Sequence, residues 1–154
     1  MSRLVILILA VVVASCAARG DLFLSLEPPA SGQVVLYIFR TQHVPRTMDL
    51  APGVAVNGTE VGALPLDGYL RVQVAPGSTE VRLLNRAYLW PVGAPLRAVR
   101  IQAPAGSTQF VELSVDSFRF ENAPLEKKMY IGLDLRQVDQ ESAMRFLPKL
   151  KNSN

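Results

Sequence analysis

Short stretches of alternating apolar and polar residues, each bounded by a tight-turn sequence, recur through the middle of this 154-residue chain. Asn57-Gly58 is the residue pair favoured in a type I′ hairpin turn. Pro76-Gly77 and the segment Pro104–Ser107 each offer a proline for the first corner and a glycine for positive φ. An alternation of period two between such turns is typical of half-buried strands. The chain is therefore predicted to consist mostly of short strands.

The predicted strands share one apolar face, which we expect to point into a core. Its members are Leu70, Val72, Val74, Val81, Leu83, Val99, Ile101, Val111, Leu113, Val115, Met129, Ile131, Leu133 and Leu135. The stretch Gln33–Arg40 is instead apolar on both faces and predicts a central strand covered on both sides. Residues 121–128 are polar and are predicted to form a gap between strands.

The period changes near the C-terminus, where Ala143, Phe146, Leu147 and Leu150 fall at helical spacing. Asp139 is a suitable N-cap for this helix, and Pro148 predicts that it is short or kinked. We expect the final residues 152–154 to be frayed.

These patterns predict an all-β fold, a single Ig-like β-sandwich of about seven short strands followed by a short C-terminal helix. The predicted boundaries are a signal peptide at 1–15, a modified cysteine and tether at 16–32, the sandwich at 33–138, and the helix and tail at 139–154. The tether carries a Pro28-Pro29 pair. Its apolar residues, Phe23, Leu24 and Leu26, predict an edge strand or a packing contact on the domain.

The N-terminus has the order of a secretory signal peptide: Arg3, then the apolar run Leu4–Val13, then small residues. A transmembrane helix needs about 20 apolar residues, and this run is shorter than that. The favoured interpretation is an export signal followed by a modified cysteine. Two alternatives remain: ordinary cleavage that leaves a soluble periplasmic protein, and a core strand that begins the chain.

The residues Val13-Ala14-Ser15-Cys16 resemble the bacterial lipobox. The resemblance implies cleavage between Ser15 and Cys16, and a diacylglycerol and a further acyl chain such as palmitate on the Cys16 residue. Several acyl chains together hold a protein stably on a membrane. The same resemblance implies the outer membrane, facing the periplasm, because Ala17 after the cysteine is not the Asp that retains such proteins at the inner membrane.

Composition limits the domain and its partners. Removing residues 1–15 leaves 139 of the 154, enough for one domain with a core. Without Arg3 the chain carries 15 Lys and Arg against 13 Asp and Glu, and its only terminal basic cluster is Lys149 with Lys151. This small excess predicts no nucleic-acid partner. Cys16 is the only cysteine, so the mature fold has no internal disulfide.

Five segments, read in order, are similar to a bacterial lipoprotein family, the one called domain of unknown function 2846, and more distantly to PEGA-type β-sandwich domains. They are Leu36–Arg40 (LYIFR), Val54–Leu64 (VAVNGTEVGAL), Gly68–Leu70 (GYL), Pro76–Ser78 (PGS) and Pro104–Leu113 (PAGSTQFVEL). The resemblance covers about residues 33–138 together with the lipobox. It implies an envelope β-sandwich and carries no catalytic or binding residues with it.

The sequence offers little for catalysis or metal binding. His43, the only histidine, lies in a proline-flanked connection and is interpreted as a solvated loop residue. The carboxylates Glu112 and Asp116 are interpreted as outward solubility charges, as are Asp134 and Asp139. We therefore predict no enzyme activity, no cofactor and no metal site.

Binding is the remaining class of function. Tyr88 and Trp90, between two prolines, are a candidate partner or ligand patch, with burial over an open end of the sandwich as the alternative. Arg40 and Tyr69 are expected to have structural roles. The sequence favours a lipid-anchored envelope protein that docks another envelope protein. The alternative is a lipoprotein that binds a glycan or small ligand such as peptidoglycan.

Overall fold

The computed structural model describes residues 20–41, 51–84, 97–123 and 126–154, with backbone only for 116–123 and 126–132. These residues form nine strands, one α-helix and one 3₁₀ turn. The strands are β1 (Val34–Arg40), β2 (Gly53–Val56), β3 (Thr59–Ala63), β4 (Gly68–Val74), β5 (Gly77–Leu84), β6 (Ala98–Ala103), β7 (Thr108–Ala123), β8 (Glu126–Val138) and β9 (Lys151–Asn152). The helix α1 spans Gln140–Met144, and the 3₁₀ turn spans Leu147–Lys149.

The strands form two sheets, so the predicted all-β sandwich is confirmed. The first sheet has the order β8-β7-β1-β4-β9, and the second has the order β3-β2-β5-β6. β1 pairs antiparallel with β4 and parallel with β7, and β9 runs parallel to β4. The described residues contain nine strands where about seven were expected, and the two-residue β9 is too short to show a pattern in the sequence.

The central strand is β1, and every one of its residues is buried. Val34, Leu36 and Ile38 face the second sheet, whereas Val35, Tyr37 and Phe39 face the opposite way. This alternation confirms that β1 is covered on both sides. The inter-sheet core contains most of the residues predicted to face inward, with Val72 and Val99 only partly buried.

A second apolar layer covers the outer face of the five-stranded sheet. Its buried members are Phe23, Val35, Tyr37, Phe39, Tyr69, Phe110, Ala143, Leu147 and Leu150. They come from the sheet, from α1 with the 3₁₀ turn, and from the segment before β1. The described part of the protein thus has three layers: the four-stranded sheet, the five-stranded sheet, and a cover made by the two ends of the described chain.

Local sequence signals explain several of these elements. Asn57 and Gly58 have φ values of 50° and 82°, as a type I′ turn requires, and they join β2 to β3. The Asp139 side chain accepts a hydrogen bond from the Ser142 amide at 2.7 Å and caps α1 as predicted. Pro148 lies in the 3₁₀ turn, so the helix is short.

Two expectations about irregular segments are wrong. Residues 121–128 are not a gap between strands, because β7 continues to Ala123 and β8 starts at Glu126, with Glu121 opposite Lys128. Residues 152–154 are not frayed either. The Lys151 amide donates to the Asp67 carbonyl and the Ser153 amide to the Tyr69 carbonyl, each at 2.8 Å.

Candidate functional site

The residues that the sequence singled out for function fall largely outside the described part of the chain. Ser15 and Cys16, the loop aromatics Tyr88 and Trp90, and His43 all lie there. Their predicted roles stay predictions. Of the residues with predicted structural roles, Arg40 is buried at the end of β1, and Tyr69 belongs to the outer apolar layer.

The segment nearest Cys16 is attached along the edge of the five-stranded sheet. The Gly20 amide donates to the Asn152 carbonyl at 3.0 Å, and the Asn152 amide donates to the Asp21 carbonyl at 2.9 Å. The Phe23 amide then donates to the Leu150 carbonyl at 3.0 Å. Residues 20–23 therefore lie outside β9 as a further edge of the same sheet.

Gly20 makes this close approach sterically feasible. A Cβ at position 20 would lie 2.5 Å from the Asn152 carbonyl oxygen and 2.9 Å from the Asn152 Cβ. Any larger residue at this position would push the segment away from β9. The N-terminal segment and the C-terminal strand are thus fitted to each other.

Phe23 fixes the same segment to the outer apolar layer. Its side chain is 5% exposed, and its ring packs edge-on against Tyr37 and Tyr69, with centroid distances of 5.7 Å in both cases. Tyr37 also stacks on Phe110 at 5.9 Å. Edge-on aromatic pairs add about 1 kcal/mol beyond the burial of apolar area.

Two polar contacts continue the attachment beyond Phe23. The Glu27 amide donates to the Tyr37 hydroxyl at 3.1 Å, and the Glu27 carboxylate forms an ion pair with Arg71 at 3.0 Å. The packing contact predicted for this segment is confirmed for Phe23. Phe23 thus packs on the sandwich although it precedes the predicted domain start at Gln33 in the sequence.

The neighbours of Phe23 point in the opposite direction. Leu22 is 53% exposed and Leu24 is 91% exposed. Leu22 lies opposite Lys151 as an antiparallel pair, so the two side chains share one side of the edge. The edge formed by residues 20–24 and β9 therefore carries exposed apolar and basic side chains, together with the exposed Asp21.

The opposite edge of the same sheet is formed by β8. Its 13 residues make it the longest edge strand among the described residues, and β7 is the one strand paired with it there. β7 pairs with β1 only as far as Leu113 and continues with β8 alone to Ala123. At about 3.3 Å per residue, the hairpin extends roughly 30 Å beyond its last pairing with β1.

Glu112 corrects one of the sequence interpretations. It is 6% exposed, not an outward solubility charge, and its carboxylate accepts from Arg136 Nε at 3.0 Å and Nη2 at 2.9 Å. The Thr41 hydroxyl also donates to it. The Glu112 side chain is buried because α1 covers the face of β7 that carries it. The side chain of Asp116 is outside the described residues.

An open groove of about 460 Å³ lies beside this ion pair. It is bordered by the pair itself, by α1 and by Phe146, which is 38% exposed. A second depression of about 400 Å³ adjoins it around Gln109 and Gln137. The Gln137 amide donates to the Gln109 side-chain oxygen at 2.8 Å, so these polar groups already bond to each other.

In the described ranges, no group of three or more His, Cys, Asp or Glu side chains has the geometry of a metal site. Within those same ranges, no helix has the length and apolar character needed to cross a bilayer.

Comparisons with models of protein families, with curated proteins and with solved structures found no match to this chain. The likeness to the family of unknown function and to PEGA-type domains thus stays a prediction from the five sequence segments.

Proposed function

We propose that this protein is a non-catalytic, lipid-anchored protein of the cell envelope, attached through acylated Cys16 to the outer membrane and facing the periplasm. Its β-sandwich docks another envelope protein. The anchor is supported by the apolar run Leu4–Val13 followed by the lipobox-like residues up to Cys16. The absence of hydrolase and phosphate-loop motifs from the sequence supports a non-catalytic role.

One structural observation carries the docking proposal. The segment that leads from Cys16 and the long strand β8 lie at opposite edges of one sheet, in the order β8-β7-β1-β4-β9 followed by residues 20–23. Five strand spacings of about 4.8 Å separate the two edges by roughly 24 Å. An anchored domain then presents β8 away from the attachment point.

The chemistry of an edge strand defines the partner. The outer side of β8 offers backbone amides and carbonyls with which an extended segment of another protein can form a further strand. The proposed partner is therefore an extended segment of an envelope protein that pairs along β8.

Site-specific photocrosslinking in the native cells tests this proposal. A photoreactive residue at Gln137 of β8 is compared with one at Gln102 of β6, because both positions are exposed glutamines on edge strands. We expect an adduct of one defined mass from Gln137 and none from Gln102, and mass spectrometry of that adduct identifies the partner. Equal labelling from both positions, or none from Gln137, contradicts docking along β8.

The groove beside Phe146 favours a second candidate, the binding of a glycan such as peptidoglycan. Together with the adjoining depression, this groove combines a partly exposed aromatic ring with the Glu112–Arg136 pair and the two glutamines, a mixture of apolar and polar groups suited to a ligand. This candidate ranks second because those polar groups are already hydrogen-bonded to one another. Sedimentation of the protein with isolated peptidoglycan tests it, with Phe146→Ala expected to reduce binding and Leu24→Ala expected to leave it unchanged.

A further inference from the structure

The sheet edge nearest Cys16 has a composition suited to a membrane surface. Leu22 and Leu24 are exposed on either side of the buried Phe23, and Lys151 lies directly opposite Leu22. Lys149, also exposed, precedes β9 by two residues. Exposed leucines beside lysines are the side chains that insert into the headgroup boundary and attract anionic lipids.

The length of chain between Cys16 and the domain brings this edge close to the bilayer. Gly20 is hydrogen-bonded to Asn152, and four residues of fully extended chain span at most about 14 Å. A tether that lasted until Gln33 would allow roughly 60 Å. The attachment of Gly20 and Phe23 therefore removes most of the freedom that the sequence alone suggests.

We propose that the edge formed by residues 20–24 and β9 rests on the membrane, with Leu22 and Leu24 in the headgroup boundary and Lys149 and Lys151 on anionic phospholipid headgroups. This inference rests on the proposed anchor at Cys16. The exposed leucines therefore contact lipid and not another protein. The domain is then held by its acyl chains and by this edge together, which fixes the direction in which β8 points.

A cysteine scan of the full-length protein tests the inference. Because Cys16 is the only cysteine, an acylated chain has no thiol, and Leu24→Cys introduces a single one. The purified lipoprotein is placed in vesicles of phosphatidylethanolamine and phosphatidylglycerol, and labelling by a membrane-impermeant maleimide is timed. Gln137→Cys, exposed on β8, is the matched control.

We expect Leu24→Cys to react about tenfold more slowly in vesicles than in detergent, a ratio that corresponds to about 1.4 kcal/mol in favour of the membrane-bound position. Gln137→Cys should react at the same rate in both. Lys149→Gln with Lys151→Gln should reduce the protection of Leu24→Cys, as should vesicles of phosphatidylcholine alone. Equal labelling rates for Leu24→Cys in vesicles and in detergent overturn the inference. Protection of Leu24→Cys that appears only in intact cells also overturns it, since such protection indicates a protein partner.

The intact mass of the same samples separates this inference from the proposed anchor. A chain that carries acyl groups but labels Leu24→Cys at full rate contradicts only the membrane contact. A chain without acyl groups labels at two thiols and contradicts both.

Discussion

Phe23 packs edge-on against Tyr37 of the central strand, with ring centroids 5.7 Å apart and an interplanar angle of 78°. This contact joins the segment that follows the lipobox-like sequence to β1, a strand in which every residue is buried. Phe23 lies within the predicted tether, and the packing contact predicted for it is part of the core. The position of the domain relative to its proposed anchor depends on this contact.

Phe23→Ala should lower the free energy of unfolding by about 3 kcal/mol, because it leaves a cavity among the rings of Tyr37, Tyr69 and Phe110. Leu24→Ala, next to it but 91% exposed, is the matched control and should change stability by less than about 0.5 kcal/mol. Urea unfolding followed by circular dichroism measures both. Equal effects of the two substitutions would show that Phe23 is not a core residue in solution.

Gly20→Ala should release the N-terminal segment from β9 at a cost of about 1–3 kcal/mol, since its Cβ would collide with the Asn152 carbonyl. Amide hydrogen exchange of Phe23 and Asn152 is the measurement, and both amides should exchange faster in the variant. Ser25→Ala, an exposed position in the same segment, is the control. Unchanged exchange in Gly20→Ala would mean that residues 20–23 are not paired with β9.

Arg136→Met should destabilise the protein by about 2 kcal/mol, because it leaves the buried Glu112 carboxylate without its cation. Adding Glu112→Leu to that variant should restore most of the loss, since an apolar pair is tolerated at a buried site. Arg145→Met removes the exposed i,i+4 pair with Glu141 and should have little effect. A double variant no more stable than Arg136→Met contradicts the assigned burial of Glu112.

Burial in the outer apolar layer raises the pKa of the Tyr69 hydroxyl above its ordinary value of 10.0, and the nearby Tyr37 hydroxyl adds to the effect. Below about pH 10 the Tyr69 hydroxyl is neutral in both the folded and the unfolded state, so its ionisation does not change the free energy of unfolding in that range. As the pH rises further, the unfolded state ionises first, and the free energy of unfolding falls until the pH passes the raised pKa.

The difference between wild type and Tyr69→Phe isolates this effect from the other tyrosines. Urea unfolding from about pH 8 to about pH 11 should show the wild type losing stability relative to Tyr69→Phe above about pH 10. Parallel pH curves for the two proteins would contradict the burial of the hydroxyl.

The fold could be predicted where local chemistry decides it. The two-sided apolar strand β1, the Asn57-Gly58 turn and the Asp139 cap each depend on a few neighbouring residues, and each is confirmed. The extension of β7 to Ala123 was not predicted, because the register in which β7 pairs with β8 is not visible in either strand alone.

The sheet edge formed by β9 and residues 20–23 depends on residues far apart in the chain, and so does the burial of Glu112. β9 has only two residues and forms because β4 and residues 20–23 offer partners on its two sides. Glu112 was read as exposed from alternation alone. The apolar outer face of β1, at Tyr37 and Phe39, was a signal that this side of the sheet has a cover, and Glu112 in the neighbouring strand lies under the same cover.

The most direct test of the proposed anchor is the intact mass and membrane fractionation of the wild type beside Cys16→Ala, expressed in the same cells. We expect a mature wild-type chain that begins at an acylated Cys16 and sediments with the outer membrane. Cys16→Ala should lack the acyl mass and leave that fraction. A wild-type protein that is unmodified and remains in the soluble periplasmic fraction would contradict the account.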